Sequence, residues 1–231
     1  MKREEYLKMV KENSLNLKFV PSQYQDREIC LTAVRQNGWA LEYIKNQTRE
    51  ICLEAVRRTG YALQFVEKQD KEICVEAIKQ NISALYYVEE QDKEICLMAV
   101  KQNCRALEYI EEQDKEICLE AVKRIGCALK YVKEQDKEIC LASVKQNILA
   151  LQYVDKKYID EVKKELNVFY LQPTEEHREL IIDSKRRCWI GCQEGISIVK
   201  LVDRIYNERG GLKENPHRKY YLDFLGKNNL F

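Results

Sequence analysis

A chain of 231 residues with 39 basic and 38 acidic side chains has a formal net charge of +1, so no global field draws it to nucleic acid or to an anionic membrane. Hydrophobic residues at 45% are enough for a continuous core in one or two domains. The opening MKREEYLKMVKENS has no apolar h-region, and no apolar run reaches the roughly 18 residues of a membrane span, which predicts a soluble, cytoplasmic protein.

In chain order, residues 1–25 read as a degenerate N-terminal cap repeat: Leu7, Met9, Val10 and Asn13 match one helix of the unit that follows, and Leu17, Phe19 and Val20 match the other. Six full units of 22 residues then start at Asp26, Thr48, Asp70, Asp92, Asp114 and Asp136 and end near Lys157. The leading Asp or Thr is a helix N-cap, and the Glu two residues later suits the positive end of the helix dipole. Apolar residues at 29, 30, 31, 33 and 34 predict a first helix that is buried on most sides. It should end at Gln36-Asn37-Gly38 and its equivalents, where Asn or Gly can take a left-handed cap. A second apolar group, Ala40-Leu41-Glu42-Tyr43-Ile44, predicts another helix of about eight residues, and two helices so short bury their faces only by stacking on neighbours. The fold class expected is all-α: a right-handed α-solenoid of 22-residue helix-turn-helix repeats over 1–157, with a helical cap or small domain over 158–231. In that last region the phrases 156–167, 174–190, 195–208 and 216–226 read as helices.

Six of the ten cysteines, Cys30, Cys52, Cys74, Cys96, Cys118 and Cys140, occupy one position of the unit. A zinc site needs cysteines two to four residues apart or beside histidine, and the chain has only His177 and His217. Stacked helices lie about 8–10 Å apart, beyond the Cα separation of about 4.4–6.8 Å that a disulfide accepts. The repeated cysteine is therefore read as a small buried apolar residue in a reducing compartment.

The unit D-K-E-I-C-L-x-A-V-K-x-N-x-x-A-L-x-Y-V resembles the short helical repeats of the domain of unknown function 4116 family over about residues 26–157. The resemblance implies an interaction solenoid and supplies no catalytic residue.

Three ladders and two variable columns are candidate surfaces. Arg35, Arg57, Lys79, Lys101, Lys123 and Lys145 would align as a basic ladder able to track a phosphate backbone, joined in the tail by Lys185, Arg186 and Arg187. A second ladder, Arg27, Arg49, Lys71, Lys93, Lys115 and Lys137, is neutralised by adjacent Glu. The aromatic column Phe19, Tyr43, Phe65, Tyr87, Tyr109, Tyr131 and Tyr153 could stack bases, but its apolar neighbours favour packing with the hydroxyl at the rim. Scaffold positions barely change between units, whereas positions 39 and 42 vary freely. Trp39, Tyr61 and Arg105 in the first column, with Glu42, Glu108 and Lys130 in the second, are the partner-binding candidates. In the tail, Cys188, Cys192, His177 and Asp183 are the residues an enzyme built there would use, although no phosphate-cradling, serine-nucleophile or zinc-protease motif occurs. The function expected is a non-enzymatic binder, adaptor or inhibitor of another protein, extending to a host or defence enzyme, with no cofactor, metal, membrane or small-molecule substrate. RNA binding along the basic ladder and a small enzyme in the C-terminal region are the alternatives.

Overall fold

The computed structural model describes residues 2–171, 180–183, 185–190, 196–207 and 219–230. They fall into two compact units, Met1–Glu120 and Ala121–Phe231.

The first unit holds α1 (Arg3–Glu12), α2 (Arg27–Gln36), α3 (Arg49–Arg58), α4 (Lys71–Gln80), α5 (Lys93–Gln102) and the start of α6 (Lys115–Arg124). Each of α2 to α5 begins where the sequence places its cap. The side-chain oxygens of Asp26, Thr48, Asp70 and Asp92 accept from the N–H groups of Ile29, Ile51, Ile73 and Ile95 at 3.0, 3.4, 2.9 and 2.7 Å. The Ile73 N–H, ahead of the Arg49 guanidinium, holds the Asp70 carboxyl below the usual carboxylate range. The N-terminal copy is a true repeat: α1 and a following 3-10 helix, Ser14–Phe19, bury Tyr6, Val10, Leu17 and Val20.

The end of each first helix corrects the expectation of a left-handed cap. Asn37, Asn81 and Asn103 are extended, with φ of −152°, −150° and −153°. Their Oδ1 atoms accept from the N–H of Trp39, Ser83 and Arg105 at 3.1, 2.9 and 2.9 Å, so the residue that closes one helix also caps the next segment. That segment is a six-residue 3-10 helix rather than an α-helix of eight: Gly38–Tyr43, Gly60–Phe65, Ile82–Tyr87 and Cys104–Tyr109. Six residues lie between the extended Asn37 and the extended Ile44, and so short a span suits the tighter i→i+3 ladder. Adjacent repeats approach closely at its start. A Cβ at Gly38 or Gly60 would stand 2.4 or 2.6 Å from the carbonyl oxygen of Ala55 or Ala77 in the next repeat.

Two amide ladders fasten the stack. Gln25, Gln47, Gln69 and Gln91 each donate from Nε2 to the carbonyl of the next repeat's aromatic residue, Tyr43, Phe65, Tyr87 and Tyr109, at 2.9, 2.7, 2.8 and 3.0 Å. Their Oε1 atoms accept from the N–H of Lys45, Glu67, Glu89 and Glu111 at 3.1, 3.1, 3.1 and 2.9 Å. One side chain thus satisfies a donor and an acceptor of the following repeat, in a loop where no other secondary structure would do so. The repeated cysteine takes part. Cys52 and Cys74 donate from Sγ to the Oε1 of Gln47 and Gln69 at 3.5 Å each, so the residue is both small filler and a weak donor to the clamp. A second ladder caps the preceding helix: Gln36 donates to the Lys11 carbonyl at 3.0 Å, and Gln102 to those of Ile78 and Lys79 at 3.3 and 3.2 Å.

The second unit carries on the pattern with a 3-10 helix at Gly126–Tyr131, α7 (Lys137–Gln146), a 3-10 helix at Ile148–Tyr153 and α8 (Lys156–Leu166). Gln135 repeats the clamp on the Tyr153 carbonyl and the Asp155 N–H at 2.8 and 2.9 Å. Ser143, in a column of alanines, is fully buried and donates to the Gly126 carbonyl at 2.8 Å, which satisfies its hydroxyl.

Beyond α8 the expected all-helical tail is corrected. β1 (Phe169–Leu171), β2 (Leu180–Ile182), β3 (Arg187–Ile190) and β4 (Ile196–Ser197) form an antiparallel sheet in sequence order, with Ile181 opposite Trp189 and Cys188 opposite Ile196. The phrase 174–190 is therefore two strands where it is described, and 174–179 lie outside the described residues. Its apolar Leu180-Ile181-Ile182 run is too short for apolar period to separate strand from helix. The turn chemistry decides. Asp183 Oδ1 accepts from the N–H of Lys185 and Arg187 at 3.0 and 2.8 Å, and Arg186 takes a left-handed φ of 58°, which reverses the chain. The helices expected at 195–208 and 216–226 are present as α9 (Ile198–Asn207) and α10 (Lys219–Lys227). Their Ile198, Leu201, Tyr221 and Leu225 join Leu180, Ile182 and Cys188 in a small core.

Candidate partner-binding face

In the first unit the 3-10 segments stack on one another and form an edge built from two variable columns and one aromatic column. An Asn caps these 3-10 turns except at Gly60–Phe65, where Thr59 stands in its place without a side-chain cap, and position 39 of one repeat meets the aromatic residue of the next. The Trp39 and Phe65 rings meet edge to face at 5.7 Å, and those of Tyr61 and Tyr87 at 6.0 Å. Where serine replaces the aromatic, Ser83 donates to the Tyr109 hydroxyl at 2.9 Å. The aromatic column is half-buried, as its apolar neighbours imply, except at Phe19, which is 61% exposed.

Position 42 points outward throughout: Glu42, Gln64, Tyr86 and Glu108 are all exposed, Tyr86 at 70%. Tyr86 stands nearly perpendicular to Tyr87 at 5.2 Å, leaving most of its ring to solvent. Leu15, Phe19, Trp39 and Tyr86 are all exposed large hydrophobics on this edge. The structure therefore places Trp39 and Tyr61 on a shared aromatic ridge. It places Glu42, Arg105 and Glu108 on the same 3-10 segments, Arg105 and Glu108 in an ion pair of 2.9 Å. Lys130, in the second unit, lies over the Tyr131 ring at 4.6 Å. Sequence reasoning missed Tyr86 as an anchor, because its neighbours in the column are polar. The signal was its chemical contrast with Glu42, Gln64 and Glu108.

The basic ladder is partly cancelled. Arg35 pairs with Glu54 and Arg57 with Glu76, each at 3.1 Å, and Lys79 with Glu76 at 2.9 Å. Lys79, ahead of Arg57, holds the Glu76 carboxyl below its ordinary range. Lys101, Lys123 and Lys145 are exposed and make no ion pair among the described residues. The second ladder is neutralised by the next repeat as well as by sequence neighbours: Arg49 reaches Asp70 at 2.7 Å and Glu72, and Lys93 reaches Asp114 and Glu116 at 3.0 and 2.6 Å.

In the tail, Lys185 and Arg186 are exposed at the β2–β3 turn, while Arg187 pairs with Asp183 at 2.6 Å and lies 5.2 Å from the Trp189 ring centroid. Asp183 is buried and fully engaged by this turn. Burial pushes the Cys188 thiol up to about 12, with the Asp183 charge adding to it, so the flanking cations do not make it a thiolate. His177 and Cys192 lie outside the described residues. No group of three or more His, Cys, Asp or Glu among the described residues is arranged to hold a metal ion, and no described helix is long and apolar enough to cross a membrane.

A family model described as Domain of unknown function (DUF4116) matches residues 2–47, 48–91 and 114–159. Each match spans two 22-residue repeats, and the first includes the N-terminal copy built on α1. No curated protein and no solved structure matches the chain. With more than half of its length matched, and in register with the repeats of the fold, the chain belongs to the family of the domain of unknown function DUF4116.

Proposed function

We propose that this chain is a non-catalytic binding protein, an adaptor or inhibitor, whose 3-10 edge docks another protein. The observation that carries the reading is the row of exposed Leu15, Phe19, Trp39 and Tyr86 on one edge of the stack, where a helical repeat protein has no structural need for large apolar side chains in water. Aromatic residues fixed against a rigid scaffold give contact area at low entropic cost and are typical interface anchors. The edge varies from repeat to repeat while its supports, the Asn caps and Gln clamps, recur. Variation on a constant frame suits recognition of a specific partner. Tracking of a phosphate backbone is less favoured, because Glu54 and Glu76 engage the first three cations of the basic ladder.

Affinity capture with the wild-type chain and with a Trp39→Ala/Tyr86→Ala variant of matched circular dichroism is the test. A protein partner retained by the first and reduced at least about tenfold on the second is expected. Partners recovered equally by both chains, or an RNA retained through Lys101, would overturn the reading.

A further inference from the structure

Resting on this reading of the edge, we propose that the partner segment seated at Tyr86 is cationic, a peptide stretch bearing Arg or Lys beside an apolar anchor. The loops on either side of Tyr86 are predominantly acidic, with Glu67, Glu89, Glu90, Glu111 and Glu112 against one base, Lys68. Glu89 and Glu90 follow Tyr86 by three and four residues, both exposed, and Glu112 repeats the place of Glu90 one repeat further on. None of these three enters an ion pair among the described residues. The only base on the 3-10 helix of the neighbouring repeat, Arg105, is taken by Glu108.

At the starts of the α-helices the acids are matched. Asp70 and Glu72 face Arg49, and Asp92 and Glu94 face Lys71, with the same pairing at Asp114 and Glu116. The loop that follows Tyr86 thus differs from the helix starts, carrying carboxylates outside any ion pair three and four residues from an aromatic ring that is 70% exposed. A guanidinium set against this ring would gain both the ring quadrupole and the carboxylates, and the loop would fix its direction of approach. The Glu89 N–H is held by Gln69 Oε1 at 3.1 Å, so the acidic loop is anchored to the stack. Its sign repels a phosphate backbone, which separates this face from the basic ladder.

Fluorescence anisotropy with dye-labelled peptides of about twelve residues, alternating Leu with Arg, Gln or Glu, tests the proposal on the full chain. The Arg–Leu peptide should bind, and more weakly as salt rises. It should lose about tenfold with Tyr86→Ala and nearly all binding with Glu89→Lys/Glu90→Lys. The charge-matched control Glu4→Lys/Glu12→Lys, on α1, should leave binding unchanged. Binding of the Gln–Leu or Glu–Leu peptide as tight as that of Arg–Leu would overturn the cationic assignment while leaving the edge a docking site. No binding of Arg–Leu, or equal loss in the control, would overturn the assignment too, whereas failure of the docking reading is seen in partner capture, which does not depend on peptide charge.

Discussion

Replacing Gln69 by Ala should destabilise the first unit by about 2–4 kcal/mol, the loss expected when a half-buried backbone donor and acceptor are both left without partners. The amide serves the Tyr87 carbonyl at 2.8 Å and the Glu89 N–H at 3.1 Å, and Cys74 Sγ donates to the same Oε1. Gln69→Glu is the informative companion. A carboxylate still accepts from Glu89 N–H and the thiol but cannot donate to Tyr87, so roughly half of the loss should remain. The chain has two tryptophans, Trp39 and Trp189, one in each unit. Urea unfolding followed by Trp39 fluorescence in a Trp189→Phe background therefore reports the first unit alone. A loss of less than about 0.5 kcal/mol would mean that apolar packing alone holds successive repeats.

Raising the pH past 9 should unfold the protein steeply. Burial, with smaller contributions from nearby carboxylates, pushes the thiols of Cys30, Cys52, Cys74, Cys96 and Cys140 from an ordinary 9.0 to about 11. In the unfolded chain they ionise near 9 while in the folded chain they stay protonated. The unfolded state then binds fewer protons, so stability is complete below about pH 9 and is lost as pH rises toward 11. Lys71 and Lys93, raised chiefly by Glu94 and Glu116, lose their pairing with the same sign at higher pH. Between pH 9.5 and 10.5 each buried thiol should contribute a slope of about 1 kcal/mol per pH unit. A Cys52→Ala/Cys74→Ala chain should therefore flatten the stability curve by roughly twice that amount. An unchanged slope would show that the cysteines do not titrate on unfolding as their burial requires. Below pH 9 the same protonation leaves the thiols poor nucleophiles, in keeping with their role as filler and as donors to the clamp.

The legible part of the fold was the part with a period. Asp26 and its equivalents, the apolar set at 29 to 34 and the break near Asn37 gave the stacked helices and their starts. The Gln clamp was equally regular, at Gln25, Gln47, Gln69, Gln91, Gln113 and Gln135, yet it sits in a loop, where helical periodicity carries no weight. Its meaning depends on two backbone groups 18 and 20 residues away, which only the stacking brings near. The 3-10 geometry was hidden for a related reason. Asn is compatible with a left-handed helix end and with an extended cap, and the choice falls to the following N–H that its side chain captures. In the tail, Leu180–Ile182 suits strand or helix by composition, and the hairpin rests on one buried carboxylate, Asp183. Of the binding face, Trp39 and Tyr61 were visible as variable positions. Tyr86 and its acidic rim emerged only once exposure separated the outward column from the packed one.

Photocrosslinking most directly tests whether the 3-10 edge is where this protein meets its partner. With a benzophenone-bearing phenylalanine in place of Tyr86, irradiation in the native host should yield a discrete protein adduct. The same residue in place of Lys79, in the last turn of α4 and outside the 3-10 segments, should yield none. An adduct from Lys79 and none from Tyr86, or a nucleic acid as the captured species, would contradict a protein-binding edge.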